Sequence, residues 1–77
     1  MHHLQLTAVV HKDEDMYVAD CPEVGTVSQG NTFEEAVENL KEATELFLEE
    51  FPEKVMELTK RERPSVITTF EAETLIA

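Results

Sequence analysis

The sequence predicts an α+β fold in the order β-β-β-α-(α)-β. It would be an antiparallel three-stranded meander with a C-terminal strand added and one main helix packed on one face. Three observations predict it. Two apolar runs of period two near the N-terminus are joined by a short polar link. A helix start with Thr32 and Glu35 at capping spacing leads into a long apolar stripe. The alternation then returns to period two near the C-terminus.

Leu4, Leu6, Ala8 and Val10 alternate with Gln5, Thr7 and Val9, the pattern of a strand with one buried face. Lys12-Asp13-Glu14-Asp15 is polar and reads as the hairpin connection. Met16 to Cys21 resumes an extended run rich in Tyr, Val and Ala. Pro22 has no N–H to give a ladder, so it suits the end of that strand. Gly25 supplies a turn, Thr26 to Gln29 a short third strand, and Gly30-Asn31 a break. In a capping box Thr32 and Glu35 each bond the other's backbone N–H. Phe33, Ala36, Val37, Leu40, Ala43, Phe47 and Phe51 then recur at helical spacing. Pro52 disfavours helical geometry at Phe51 and suits the first position of a second short helix, running to about Lys60. Arg61-Glu62-Arg63-Pro64 reads as an exit turn. Val66, Thr68, Phe70, Ala72, Thr74 and Ile76 alternate with Ile67, Thr69, Glu71, Glu73 and Leu75 as a final strand. Its simplest position is parallel to the first strand and beside it, after a right-handed crossover.

No linker, repeat or low-complexity stretch divides the 77 residues, so residues 1–77 read as one domain. A chain of this size buries only about 60% of its unfolded surface. Its thin core and two open sheet edges point to a homodimer, with the C-terminal strand available to pair or exchange across a two-fold axis. Seventeen acidic residues against six basic ones give a net charge of −11. Such a surface repels nucleic acid and attracts a basic protein. One cysteine makes no internal disulfide. No stretch approaches the roughly 20 apolar residues of a membrane span, and the N-terminus lacks a signal-peptide pattern, so a cytoplasmic protein is expected. His2 and His3 fit a native start or a cloning remnant equally.

Candidate chemistry is sparse. Asp13, Asp15, Asp20 and Glu23 are the acids that a two-metal nuclease would need to converge, but Asp13 and Asp15 fall in a hairpin loop, a poor rigid platform. Cys21 lies between acids, which raise a thiol pKa rather than lowering it. The histidines lack metal-ligand spacing, and neither a metal nor another cofactor is assigned. The long helix is more informative. Glu34, Glu38 and Glu42 repeat at i,i+4, as do Glu45 and Glu49, and each like-charge pair costs about 0.2–0.5 kcal/mol. Solvation of a polar face accounts for such a pattern, and a basic partner would relieve it.

Tyr17-Val18-Ala19, Cys21-Pro22-Glu23, Val27-Ser28-Gln29-Gly30, Thr32 and Glu34-Glu35-Ala36 form a set that closely resembles the amino-terminal domain of the HicB-like antitoxin family. The resemblance covers roughly residues 4–50, and the final strand loosely. It implies a pared-down ribonuclease-H-like fold. It also implies a non-enzymatic module that neutralises a small, basic, HicA-like toxin that cleaves messenger RNA. The partner-binding residues expected on that basis are Glu42, Glu45 and Glu49 on the helix, with Asp13, Asp15 and Glu23 in the loops as the competing surface. Direct contact with nucleic acid or membrane is not expected. Two departures stand out. Many relatives carry Leu-Pro-Gly-Cys after the Cys-Pro turn, and here Val24-Gly25-Thr26 is one residue shorter. Typical antitoxins also continue into a DNA-binding domain, whereas this sequence stops at Ala77, so operator binding is not expected. A residual metal-dependent acidic nuclease and an orphan structural homodimer are the alternatives.

Overall fold

In a computed structural model, residues 3–60 and 67–75 are described. The fold is α+β. A three-stranded antiparallel sheet, β1 (Val9–Asp13), β2 (Met16–Cys21) and β3 (Thr26–Gly30), is followed by α1 (Phe33–Glu50) and α2 (Pro52–Thr59). Register follows the turns. Asp13 lies opposite Met16, which leaves a two-residue connection with Glu14 at a φ of 57°, and Val10 lies opposite Ala19. The polar run Lys12-Asp13-Glu14-Asp15 is therefore not all loop. Lys12 and Asp13 belong to β1, where an edge strand tolerates polar side chains.

The N-terminal end of the first strand is corrected in the opposite direction. Residues 3–8 are not in the ladder. The ladder ends at the Val9–Asp20 pair; continued two pairs further it would set Thr7 opposite Pro22, which has no N–H to offer, and the turn beginning there takes the chain away. That turn is closed by the Gly25 N–H on the Cys21 carbonyl at 2.7 Å, with Gly25 at a φ of 93°. Cys21 is then opposite Thr26, and Tyr17 opposite Gly30.

Gly30 allows the sheet to meet the helix. A Cβ there would lie 2.6 Å from the Ala36 nitrogen and 2.8 Å from the Glu35 carbonyl carbon. The helix start is capped as expected on one side, with the Glu35 N–H donating to Thr32 Oγ1 at 3.0 Å. The reciprocal bond is shifted by one residue, because the Glu35 carboxylate accepts from the Asn31 N–H at 2.9 Å rather than from Thr32. α1 lies chiefly on β3 and β2 and barely touches β1. Ala19, Cys21, Ala36 and Leu40 are buried, flanked by Leu6, Val10, Tyr17 and Val24. Two small side chains at the centre bring helix and sheet close together, so the core is thin.

The predicted apolar stripe holds in its middle and fails at its ends. Ala36 and Leu40 are buried, while Phe33 is 52% exposed. Thr44 is the buried residue that periodicity omitted; its hydroxyl bonds that of Thr26 at 2.7 Å. Phe51 ends α1, its N–H on the Phe47 carbonyl and its ring 4.7 Å from that of Phe47, and Pro52 opens α2. Leu58 anchors α2.

The C-terminal strand is the main correction. Residues 67–75 form no strand and are exposed throughout, so the sheet among the described residues has three strands, and the parallel return beside β1 is not made. A strand exists only by pairing, and alternation alone names no partner. Val66, Ile76 and the expected exit turn at residues 61–64 lie outside the described residues.

Candidate functional site

Three features carry chemistry. The first is the solvent face of α1. Glu34, Glu38, Glu42, Glu45 and Glu49 are all exposed, and Lys41 is the only basic residue in the helix. Glu49 and Glu50 stand at the C-terminal end, where the helix dipole disfavours anions and no basic residue occupies the last turn. The helix tolerates this through its packed inner face, because burial rather than surface charge holds it.

The second is a clasp at the end of β2. The Glu23 carboxylate accepts the Thr7 N–H at 3.1 Å and the Thr7 hydroxyl at 2.7 Å, and the Cys21 thiol at 3.5 Å. Where Pro22 breaks the ladder, a side chain thus takes the place of a backbone acceptor. Burial would raise the Glu23 pKa, but the Thr7 hydrogen bonds outweigh it and hold the group below the ordinary glutamate value. Burial, reinforced by the neighbouring Glu23 carboxylate, pushes the Cys21 thiol upward, so it is a packed, protonated thiol rather than a nucleophile.

The third is a groove of about 470 Å³ between residues 3–8 and α1, lined by apolar Leu4, Leu6, Ala8, Val37 and Leu40 and also by His3, Lys41 and Glu45. It exists because α1 covers β2 and β3 and leaves the helix side of the N-terminal segment open.

These positions divide the residues that the sequence singled out. Asp13 and Asp15 are exposed at the β1–β2 hairpin, the end where Gly30 leads into α1. Glu23 belongs to the opposite end, where Thr44 meets Thr26 and where Glu42, Glu45 and Glu49 follow on the helix. The two loops grouped as one competing surface are therefore separated by the six residues of β2, roughly 17–20 Å. Glu23 is also occupied by Thr7. Asp20 lies on the sheet face away from α1, since its neighbours Ala19 and Cys21 pack toward the helix. Among the described residues no three His, Cys, Asp or Glu side chains are placed to hold a metal ion, and no helix is long and apolar enough to cross a membrane. Composition missed Thr7, Thr44 and the groove. Pro22 signalled that the ladder ends there, but not that the Glu23 carboxylate would accept from the Thr7 N–H and hydroxyl.

The fold and surface define a small α+β domain: a three-stranded meander carrying one long acidic helix. By sequence it is similar to a UPF0150 protein of Helicobacter pylori, 52% identical over 44 residues, covering 56% of this chain and 61% of that protein. It is also similar to a UPF0150 protein of Synechocystis, 49% identical over 45 residues, covering 56% and 57% respectively. The chain thus spans about six tenths of the length of the curated relatives it matches. No family model matches the sequence. No solved structure matches it significantly.

Proposed function

We propose that this chain is a cytoplasmic, non-enzymatic binding module of the HicB antitoxin type, acting as a homodimer that neutralises a small basic HicA-like ribonuclease toxin. The observation that carries the proposal is the exposed glutamate face of α1, opposed by one lysine within that helix, on a chain of net charge −11. Such a face repels the toxin's RNA target and steers a basic protein toward itself. The signature run from Tyr17 to Ala36 supports the same assignment by resemblance. Glu42, Glu45 and Glu49 are the residues proposed to meet the partner. Asp13 and Asp15 at the far end form a separate surface, and Glu23 contributes by holding the turn.

The test is growth rescue on co-expression with a basic HicA-like toxin from the same genome, followed by binding kinetics. Reversing Glu42, Glu45 and Glu49 together to Lys is expected to slow association more than it speeds dissociation, with circular dichroism unchanged. Affinity is expected to fall as salt rises past about 0.1 M, where screening acts over about 8–10 Å. Affinity independent of salt, or unchanged association of the triple variant, refutes the role assigned to this face.

A further inference from the structure

We propose that residues 67–75 form an exchange arm. The arm of one copy docks as a fourth strand on the open edge of β1 and residues 3–8 of a second copy, seating Phe70 in the groove beside α1. The inference rests on the homodimer proposed above and deepens it by naming the surface.

Groove and arm are complementary in shape and pattern. The groove is a mouth of about 470 Å³ whose apolar walls are Leu4, Leu6 and Ala8 on one side and Val37 and Leu40 on the other, with His3, Thr7, Lys41, Thr44 and Glu45 adding polar lining. Leu4 and Leu6 are only half-buried and Ala8 is exposed, so this apolar wall lacks a cover in the isolated chain. The arm carries what the groove lacks. Its alternation sets Thr68, Phe70, Ala72 and Thr74 on one face and Ile67, Thr69, Glu71, Glu73 and Leu75 on the other, so a docked arm buries Phe70 and Ala72 and leaves both acids in water with Ile67 and Leu75 beside them. In the single chain Phe70 is 89% exposed.

Backbone geometry agrees. β1 pairs with β2 on one side, and its outer edge takes no strand among the described residues. An open edge accepts an added strand through main-chain hydrogen bonds, with side-chain pockets supplying specificity. Nine extended residues span about 30 Å, within the length of residues 3–13.

A second copy is the occupant because the arm does not return to its own sheet. The chain has a radius of gyration of 15.2 Å, against about 11–12 Å for a compact domain of 77 residues. A reciprocal exchange is self-complementary. Each arm fills the partner's groove, both β1 edges are capped, and the assembly closes with two-fold symmetry.

The experiment uses the full chain. Sedimentation at micromolar concentration compares wild type with Phe70→Asp, and isotope-filtered NOEs are recorded on a mixture of labelled and unlabelled wild type. Wild type is expected to be a dimer with NOEs between the Phe70 ring of one copy and Leu6 or Leu40 methyls of the other. Phe70→Asp is expected to raise the dissociation constant about tenfold or more, as loss of a seated aromatic anchor does. Its circular dichroism should not change, because Phe70 is exposed within the chain. A monomeric wild type overturns both the exchange and the homodimer. A dimer that ignores Phe70→Asp, or one whose Phe70 NOEs are all within one chain, overturns the exchange and leaves the homodimer standing.

Discussion

The N-terminal run around β1 and the C-terminal arm begin from the same sequence pattern, but only the first enters a ladder, from Val9 onward. Leu4, Leu6, Ala8 and Val10 alternate with Gln5, Thr7 and Val9, and Phe70 and Ala72 alternate with Thr69, Glu71 and Glu73. From Val9 onward the first run is a strand because a two-residue turn delivers β2 beside it within a few residues, although α1 covers chiefly β2 and β3. The arm follows α2, and residues 67–75 are exposed and unladdered. The difference teaches that period two states which side chains share a face, while partner and burial come from whatever the topology brings alongside. It also separates two kinds of residue: those in the body whose substitution is expected to change folding, and those in the arm, Phe70 foremost, whose substitution is expected to leave the single chain's stability unchanged.

The sharpest form of this contrast is steric. In Gly30→Ala the new Cβ would fall 2.6 Å from the Ala36 nitrogen and 2.8 Å from the Glu35 carbonyl carbon. Both are backbone atoms of the first turn of α1 and yield only if the helix moves. A destabilisation of about 1–3 kcal/mol is expected, the cost of overpacking a close contact. Phe70→Ala removes a far larger side chain but one 89% exposed, and a change within about 0.5 kcal/mol is expected at concentrations where the chain is monomeric. Urea midpoints of the two variants decide this. Equal losses would break the distinction between body and arm.

What could be read from the sequence was local. Pro22, Gly25, the Thr32 cap and Pro52 punctuate the chain through their own backbone chemistry, and each marks a boundary in the structure. The strand limits were less legible. Lys12 and Asp13 look like loop by composition, but the tight turn at Glu14 draws them into the ladder. Thr7–Glu23, Thr26–Thr44 and the groove depend on residues 16 or more positions apart, and periodicity within one element carries no information about them. The final strand failed for the same reason. Of the candidate site, the acidic spacing on α1 was legible because it is intrahelical, whereas the separation of Asp13 and Asp15 from Glu23 required the direction of β2.

A second, smaller test uses pH. Glu23 is held ionised by Thr7 and has a folded-state pKa below its ordinary value. A depressed carboxylate stabilises the fold above its unfolded pKa, near 4.3, and loses that contribution as pH falls through the folded value. Glu23→Gln cannot present two carboxylate acceptors to Thr7, and it is expected to cost about 1 kcal/mol at pH 7, typical of one net hydrogen bond. The gap to wild type should close as the pH is lowered below the glutamate range. Glu73→Gln in the exposed arm should leave the monomer's stability unchanged at pH 7. A gap for Glu23→Gln that stays constant with pH would show that Thr7 does not depend on the charge.

The smallest expected effect is a gain. Glu14 is exposed at the hairpin tip with φ 57°, a left-handed conformation in which the β-carbon of an L-residue crowds the following carbonyl. Glycine lacks that atom. Relief of the strain, partly offset by glycine's greater freedom in the unfolded chain, leaves an expected net gain of about 0.5–1 kcal/mol for Glu14→Gly. Loss of one negative charge from a chain at −11 acts in the same direction. Glu14→Gln separates the two contributions, because it removes the charge and keeps the β-carbon. Thermal midpoints should therefore rise for Glu14→Gly and move much less for Glu14→Gln. Glu71→Gly, which removes the same charge from the arm, should match the glutamine variant rather than the glycine one. If Glu14→Gln gains as much as Glu14→Gly, charge repulsion at the tip governs the hairpin, and the tight turn that sets the β1–β2 register is unstrained.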